Sequence, residues 1–294
     1  MELSPPAKPE STKRRGLSRR AFLRTLVYGS ATLGGVYSCG FERRWLKVEH
    51  VTIPVPRLPA AFDGLTVAQF SDLHLGGQMG PGFIRQAVDV TLSLKPDLIL
   101  LTGDYVSRVT HGEPDMIVQE LSRLSAPEGV WAILGNHDHW NNADVVAEAL
   151  RHAGVSLLRN ANGALLRSGQ RLWIAGVDDV LTHYHDLPRA LQGIPEGAAT
   201  ILLAHEPDFA DKAAKDARVS LQLSGHSHGG QINLPYLTGL ALPRLARKYV
   251  RGLHHVGDLW LYTNRGLGTT GLPLRLNSRP EVTLFTLTTA DQAS

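Results

Sequence analysis

Seven side chains with oxygen or imidazole donors stand at the ends of apolar runs. In order they are Asp72 and His74 in "SDLH", Asp104 in "TGD", Asn136 in "GNHDH", His205 in "AHEPD", and His226 and His228 in "GHSHGG". Taken singly, each has a plain structural explanation. Asp72 or Asp104 reads as a helix cap, Asn136 or Asp138 as a turn residue, His205 as a cap ahead of Pro207, and His226 as a core histidine. Five apolar runs ending this way imply one shared polar site, placed beyond the carboxyl ends of strands, where open α/β sheets bind ligands. Asp, Asn and His without sulfur suit Mn, Fe or Zn. Seven donors exceed the needs of one tetrahedral ion. A pair of ions sharing a carboxylate would use them, and such pairs clamp the attacking and leaving oxygens of a displacement at phosphorus. Gly103, Gly135 and Gly225 each precede a candidate donor, where the missing Cβ permits a sharp turn and close backbone approach. His226 and His228 flank Ser227, so in an extended segment both would project to one side.

The elements that must position these groups follow from the apolar spacing. Strands are predicted at 65–72, 96–104 and, with a turn, 129–139; helices at 82–94, 115–124 and 142–152. Later strands are expected around 163–168, 171–177, 199–204, 218–223, 258–263 and 281–288. Pro54, Pro56 and Pro59 mark an extended linker or edge strand. Early strand–helix alternation implies parallel crossovers, and the later strands a second sheet. The expected class is α/β: two sheets packed face to face with helices outside, in one domain.

The net charge of +3 is unevenly spread. Residues 1–47 carry ten Lys/Arg against three Asp/Glu, so the remainder is mildly acidic. That argues against nucleic acid as a partner, which would want a basic stripe on the folded body. The single cysteine, Cys39, excludes an intramolecular disulfide framework and any multi-cysteine zinc site. Residues 11–24 are basic, and a short apolar stretch follows from Thr25 to Tyr37, the order of a targeting signal. Ser18, Arg19, Arg20, Phe22 and Leu23 resemble the twin-arginine signal, with Arg24 where that signal has Lys. The resemblance implies export of the folded protein by the twin-arginine machinery, to the periplasm or cell envelope. "VYSC" at 36–39 resembles a lipoprotein cleavage site with Cys39 as the lipidated residue. An uncleaved apolar stretch would also tether the chain. The segment 234–252, which mixes apolar residues with Arg244, Arg247, Lys248 and Arg251, could rest on a membrane surface. The organisation expected is a signal or tether at 1–40, a linker and first strand at 41–60, and a body at 61–294.

Read together, D-x-H, G-D, G-N-H-D, a lone H and G-H-x-H resemble the motif series of the calcineurin-like metallophosphoesterases. Every element is present, in order, from Asp72 to His228, and the signal is similar to that of the bacterial exported or membrane-associated phosphodiesterases. The resemblance implies a four-layer α/β/β/α sandwich of two mixed sheets. It implies that Asp72, His74 and His228 hold one divalent ion, that Asn136, His205 and His226 hold the other, and that Asp104 bridges them. His137 would face the phosphate and protonate the leaving alkoxide, while Asp138 would orient His137 or a ligand histidine. The implied reaction is hydrolysis of a phosphodiester or pyrophosphate by metal-bound hydroxide, with the ions Mn, Zn or Fe. A lipid-linked envelope substrate of the UDP-diacylglucosamine type, and a monomer, are expected. The alternatives are a metal-binding envelope protein without catalysis and a nuclease on the same fold. A metallo-β-lactamase would need H-x-H-x-D-H after an early strand, and none occurs. An amidohydrolase would carry H-x-H where this chain has Asp72-Leu73-His74.

Overall fold

A computed structural model describes residues 18–108, 112–234, 238 and 242–290. The strands are β1 (Lys47–Val55), β2 (Leu65–Phe70), β3 (Leu98–Leu101), β4 (Val130–Ala132), β5 (Ser156–Leu157), β6 (Ala161–Arg167), β7 (Gln170–Gly176), β8 (Thr200–Leu203), β9 (Val219–Ser224), β10 (Gly252–Val256), β11 (Leu259–Thr263) and β12 (Glu281–Thr289). The helices are α1 (Arg19–Val36), α2 (Pro81–Ser93), α3 (Glu113–Leu121), α4 (Asn136–Asn141), α5 (Ala143–His152), α6 (Leu187–Ala190) and α7 (Ala210–Ala213).

Two six-stranded sheets form, in the orders β1-β12-β2-β3-β4-β5 and β10-β11-β9-β8-β7-β6. Both are mixed. In the first, β2 through β5 run parallel and β12 is antiparallel to β2. In the second, β7, β8, β9 and β11 run parallel, with β6 and β10 antiparallel at the two edges. The layering follows from the period of two along each strand. Leu98 and Leu100 join Ile201, Leu203, Leu221 and Leu223 in an apolar layer between the sheets. Ile99 and Leu101 face the other way, onto Ile84, Val88, Ile117 and Leu150 of α2, α3 and α5. Leu202 packs outward with Leu187, Ala190 and Ala213 of α6 and α7. Three apolar layers make the expected α/β/β/α sandwich.

Several local expectations need correction. The strand and turn predicted over 129–139 resolve into β4, ending at Ala132, and a helix in place of the turn: α4 begins at Asn136, where the Asp138 carboxylate accepts the Gly135 amide at 2.9 Å. Short β5 and β10 escaped sequence reading, β10 because His254 and His255 break the apolar run. The prolines around 54 mark an edge strand: β1 pairs along its whole length with β12 and is otherwise free, where Pro54 is tolerated. Residues 235–237 and 239–241, part of the proposed surface segment 234–252, lie outside the described residues. Within the described part of that segment, the amides of Arg247, Lys248 and Tyr249 donate to Asp208, while Arg251 stays exposed.

Candidate metal centre

Strand ends deliver the candidates. Asp72 and His74 follow β2, Asp104 follows β3, Asn136 opens the helix after β4, His205 follows β8, and His226 and His228 follow β9. All lie at one end of the two sheets, which Gln69 stitches together by donating to Thr102 Oγ1 and to the Ser224 carbonyl across the sandwich. The backbone here is strained. Asp72, His74, Asp104, His226 and His228 all adopt positive φ, between 50° and 67°, a conformation that persists in bulky residues only where the surroundings enforce it. The extended geometry expected for 226–228 is therefore wrong: the segment coils, and the two rings turn toward different neighbours.

Three groups of donors come together, each within 4.8 Å: Asp72, His74 and His228; His74, Asp104 and His137; and Asp104, His205 and His226. His74 Nε2 and His228 Nε2 lie 3.1 Å apart, and His228 Nε2 is 3.4 Å from Asp72 Oδ1. His205 Nε2 lies 3.1 Å from Asp104 Oδ2, and His74 Nε2 3.7 Å from the same oxygen. Asp104 thus sits between the groups, its Oδ1 taken by the His137 amide at 2.8 Å. Asn136 Oδ1 is buried with no hydrogen-bond partner among the described residues. Converging nitrogens and a buried carbonyl oxygen without a protein partner suit a cation as their common partner, because a buried polar atom is costly unless something pairs with it.

Charge tells the same story. Burial works against the Asp104 charge, but the imidazoles of His205, His74 and His137 hold its carboxyl well below the usual 3.8. Burial works against protonation of His205, but Asp104 and Asp72 raise its pKa well above 6.5. Burial pushes His228 down to about 4 and lowers His74 and His226 as well. Three neutral imidazoles beside two acids can donate lone pairs to divalent metal. Surrounding contacts fix the ring orientations: His205 Nδ1 meets the Thr102 carbonyl at 2.6 Å, and His226 Nε2 the Arg244 carbonyl at 2.8 Å. Such contacts select the nitrogen left free for a ligand.

The glycines have steric causes. A Cβ on Gly103 would lie 2.7 Å from the Gly135 nitrogen and 2.8 Å from His205 Nδ1. One on Gly135 would strike the Asp104 carboxylate, and one on Gly225 would strike Ser71 Oγ and the Asp72 carboxylate.

Asp138 does something other than expected. Rather than touching a histidine, its carboxylate accepts the amides of Asp104 and Gly135 at 2.9 Å and of Tyr105 at 2.8 Å, so it shapes the main chain that carries Asp104. The next residue, His139, meets a different carboxylate: its Nε2 lies 2.6 Å from Asp178, which also pairs with Arg159. Asp178 and Asp179 turn the chain: the latter accepts from the Thr182 amide. His183 is exposed and His185 packs on Phe209. Sequence reasoning missed Arg275, which is fully buried and donates to the carbonyls of Gly266, Gly268 and Ser278. It holds the loop 266–268 against Asp72, and the Leu267 and Gly268 amides donate to the Ser71 and Asp72 carbonyls. The glycine spacing of "RGLGTTG" was the available signal.

The centre opens into a cavity of about 620 Å³, lined by Asp104, Asn136, His137, His226 and His228. Trp140, Leu181, Ile232, Pro243 and Leu272 give it a large apolar wall. Residues 65–230 match the sequence model of the family described as "Calcineurin-like phosphoesterase". The chain belongs to that family. Membership makes it a phosphoesterase-type hydrolase, and its centre a divalent-metal site. Among relatives in the calcineurin-like family, it is 37% identical to the "Uncharacterized metallophosphoesterase YkuE" of Bacillus subtilis, across 92% of this chain and 98% of that one. It is 31% identical to "Phosphodiesterase YaeI" of Escherichia coli, over 92% and 99% of the two chains. It is 28% identical to "UDP-2,3-diacylglucosamine pyrophosphatase LpxG" of Chlamydia trachomatis, over 89% and 95%.

Proposed function

We propose that the chain hydrolyses a phosphodiester or pyrophosphate on a lipid-linked envelope substrate, using two divalent ions. The observation that carries the chemistry is the convergence of Asp72, His74, Asp104, His205, His226 and His228 at one end of the sheets, with Asp104 beside both His74 and His205. Asp72, His74 and His228 would hold one ion, and Asn136, His205 and His226 the other, with Asp104 between them. Bound there, divalent cations neutralise phosphoryl oxygens and acidify a water. His137 lines the cavity beside the centre, its ring 4.7 Å from that of His74 and its amide held by Asp104. From there it can deliver a proton to the leaving oxygen. Trp140 lies 4.9 Å from the His137 ring and, with Leu181, Ile232 and Leu272, forms the apolar side of the cavity.

Two observations support the lipid-linked substrate: the apolar wall, and the resemblance along most of both chains to a UDP-2,3-diacylglucosamine pyrophosphatase. The basic leader with Arg19 and Arg20 supports export by the twin-arginine machinery. No described helix is long and apolar enough to cross a membrane.

The purified chain with added Mn²⁺ should hydrolyse bis-p-nitrophenyl phosphate, and Asp104→Asn should not. Equal turnover by the two proteins would remove the centre as the seat of reaction. A plasmid-nicking assay separates the nuclease alternative, and bound metal without hydrolysis of any phosphoester would favour a binding protein.

A further inference from the structure

A second concave site lies away from the metal centre. It has a volume of about 470 Å³, and Lys47, Arg251, Arg265 and Arg279 line it. Lys47 and Arg265 are paired with Glu49, and Arg265 also with Glu281. Arg251 and Arg279 meet no carboxylate among the described residues. The Arg279 guanidinium lies 3.8 Å over the Trp45 ring and donates to the carbonyls of Trp45 and Leu46, while Arg251 donates to the Asn277 carbonyl. Glu42 also lines the hollow, but neither Arg251 nor Arg279 pairs with it, so four cations face one carboxylate there.

Tyr37, on its rim, also lines an adjoining apolar hollow with Phe41, Arg44 and Trp45. Phe41 is 71% exposed and Trp45 52%. Of the fifteen large hydrophobic side chains exposed among the described residues, ten fall between Phe22 and Trp45, a concentration well beyond the scattered apolar residues of an ordinary surface. Those on α1, including Phe22, Leu23, Val27, Tyr28 and Leu33, spread over more than half its circumference at about 100° per residue. A protein groove would call for one stripe. A lipid interface accepts apolar side chains over a broad arc, with aromatic residues at the headgroup level and arginines reaching phosphate. Arg19, Arg20 and Arg24 stand at one end of α1 and Arg43 and Arg44 beyond the other.

The helix is not a loose appendage. Just past it, the buried Ser38 carbonyl accepts the Arg275 amide, and the buried Glu42 accepts the Ser278 amide at 2.8 Å. The Ser278 hydroxyl in turn donates to the His228 carbonyl at 2.7 Å. Ile232, which lines the metal cavity, pairs with Leu276, which lines the cationic hollow.

We infer that the cationic hollow of Arg251 and Arg279, with the apolar surface of α1, Tyr37, Phe41 and Trp45, docks the folded body on an anionic lipid bilayer, a lipid phosphate filling the hollow. Charge complementarity and the aromatic rim select anionic phospholipid. Because Ile232 and Leu276 join the two hollows, such docking would, on the lipid-linked reading proposed above, keep the centre near the bilayer that carries its phosphoester.

The test is co-sedimentation of the full chain with vesicles of phosphatidylcholine alone or doped with phosphatidylglycerol. Binding should require phosphatidylglycerol and weaken as salt screens the contact. Arg251→Gln and Arg279→Gln should each weaken it about fivefold, from about 1 kcal/mol for each cation near an anionic surface. Phe41→Ser with Trp45→Ser should weaken binding while leaving bis-p-nitrophenyl phosphate turnover unchanged. Equal binding to both vesicle types, insensitivity to salt, or undiminished binding by a folded Arg251→Gln variant would overturn the inference. If Arg279→Gln fails to fold, Arg251→Gln and the salt series still decide.

Discussion

Gly225→Ala separates the architecture of the metal centre from general stability. The residue has ordinary negative-φ backbone, so the effect is steric. A new Cβ would collide with Ser71 Oγ and with the Asp72 carboxylate, and would lie 2.8 Å from Ser71 Cβ. Overpacking of this kind costs about 1–3 kcal/mol. Relief requires Asp72 to move, yet both its oxygens accept the adjacent His226 amide, at 3.1 and 3.2 Å, and Oδ1 faces His228 Nε2. Displacing it should weaken Mn²⁺ binding at least as much as losing an outer contact, about 10–100-fold. Gly64→Ala is the matched control. Its φ of +79° makes alanine unfavourable by about 1–2 kcal/mol, but nothing lies within 4 Å of its Cβ and it is remote from the donors. The two variants should show similar urea midpoints and opposite results in Mn²⁺ titration calorimetry: Gly225→Ala weak, Gly64→Ala normal. Ser71 Oγ has no hydrogen-bond partner among the described residues, so adding Ser71→Ala should recover part of the lost affinity. Normal Mn²⁺ binding by Gly225→Ala would refute the claim that close backbone approach shapes the centre.

Other outcomes follow from named contacts. His137→Asn should lower kcat about 10²–10⁴-fold with bound metal unchanged by elemental analysis, and the deficit should grow as the leaving alcohol becomes less acidic. Asp138→Asn turns an amide group toward backbone donors and should destabilise the chain by about 2–4 kcal/mol, read by urea unfolding; a variant as stable as the parent would refute the backbone role. Burial works to raise the Asp178 pKa, but His139 and Arg159 hold it below the usual 3.8. A depressed folded pKa adds stability that is present above that value and lost as pH falls through the folded pKa. Acid unfolding of the parent should therefore steepen below about pH 3.8 relative to Asp178→Asn, measured as unfolding free energy against pH.

The candidate metal donors were legible because their types are rare at strand ends. Apolar runs that stop in Asp, Asn or His recur five times, and no requirement of packing explains that recurrence. The layered fold was legible for a similar reason: Leu98 to Leu101 are apolar on both faces, as a strand covered by helices on one side and a sheet on the other must be. What one chain position cannot express is the direction of a side chain after a turn. Asp138 follows His137 in sequence, yet the helical turn starting at Asn136 aims its carboxylate at the amides of Gly135, Asp104 and Tyr105. His226 and His228 share a motif, yet positive φ at both sends them to different donor groups. Arg275 and Glu42 look like ordinary surface charges in sequence. Glu42 became a buried strut because Ser278, far along the chain, brought its amide there, and Arg275 because the loop 266–268 folds back to present its carbonyls. Donor chemistry is local and is written in residue types; the aim of each donor depends on backbone angles and distant partners, which exist only once the two sheets have packed.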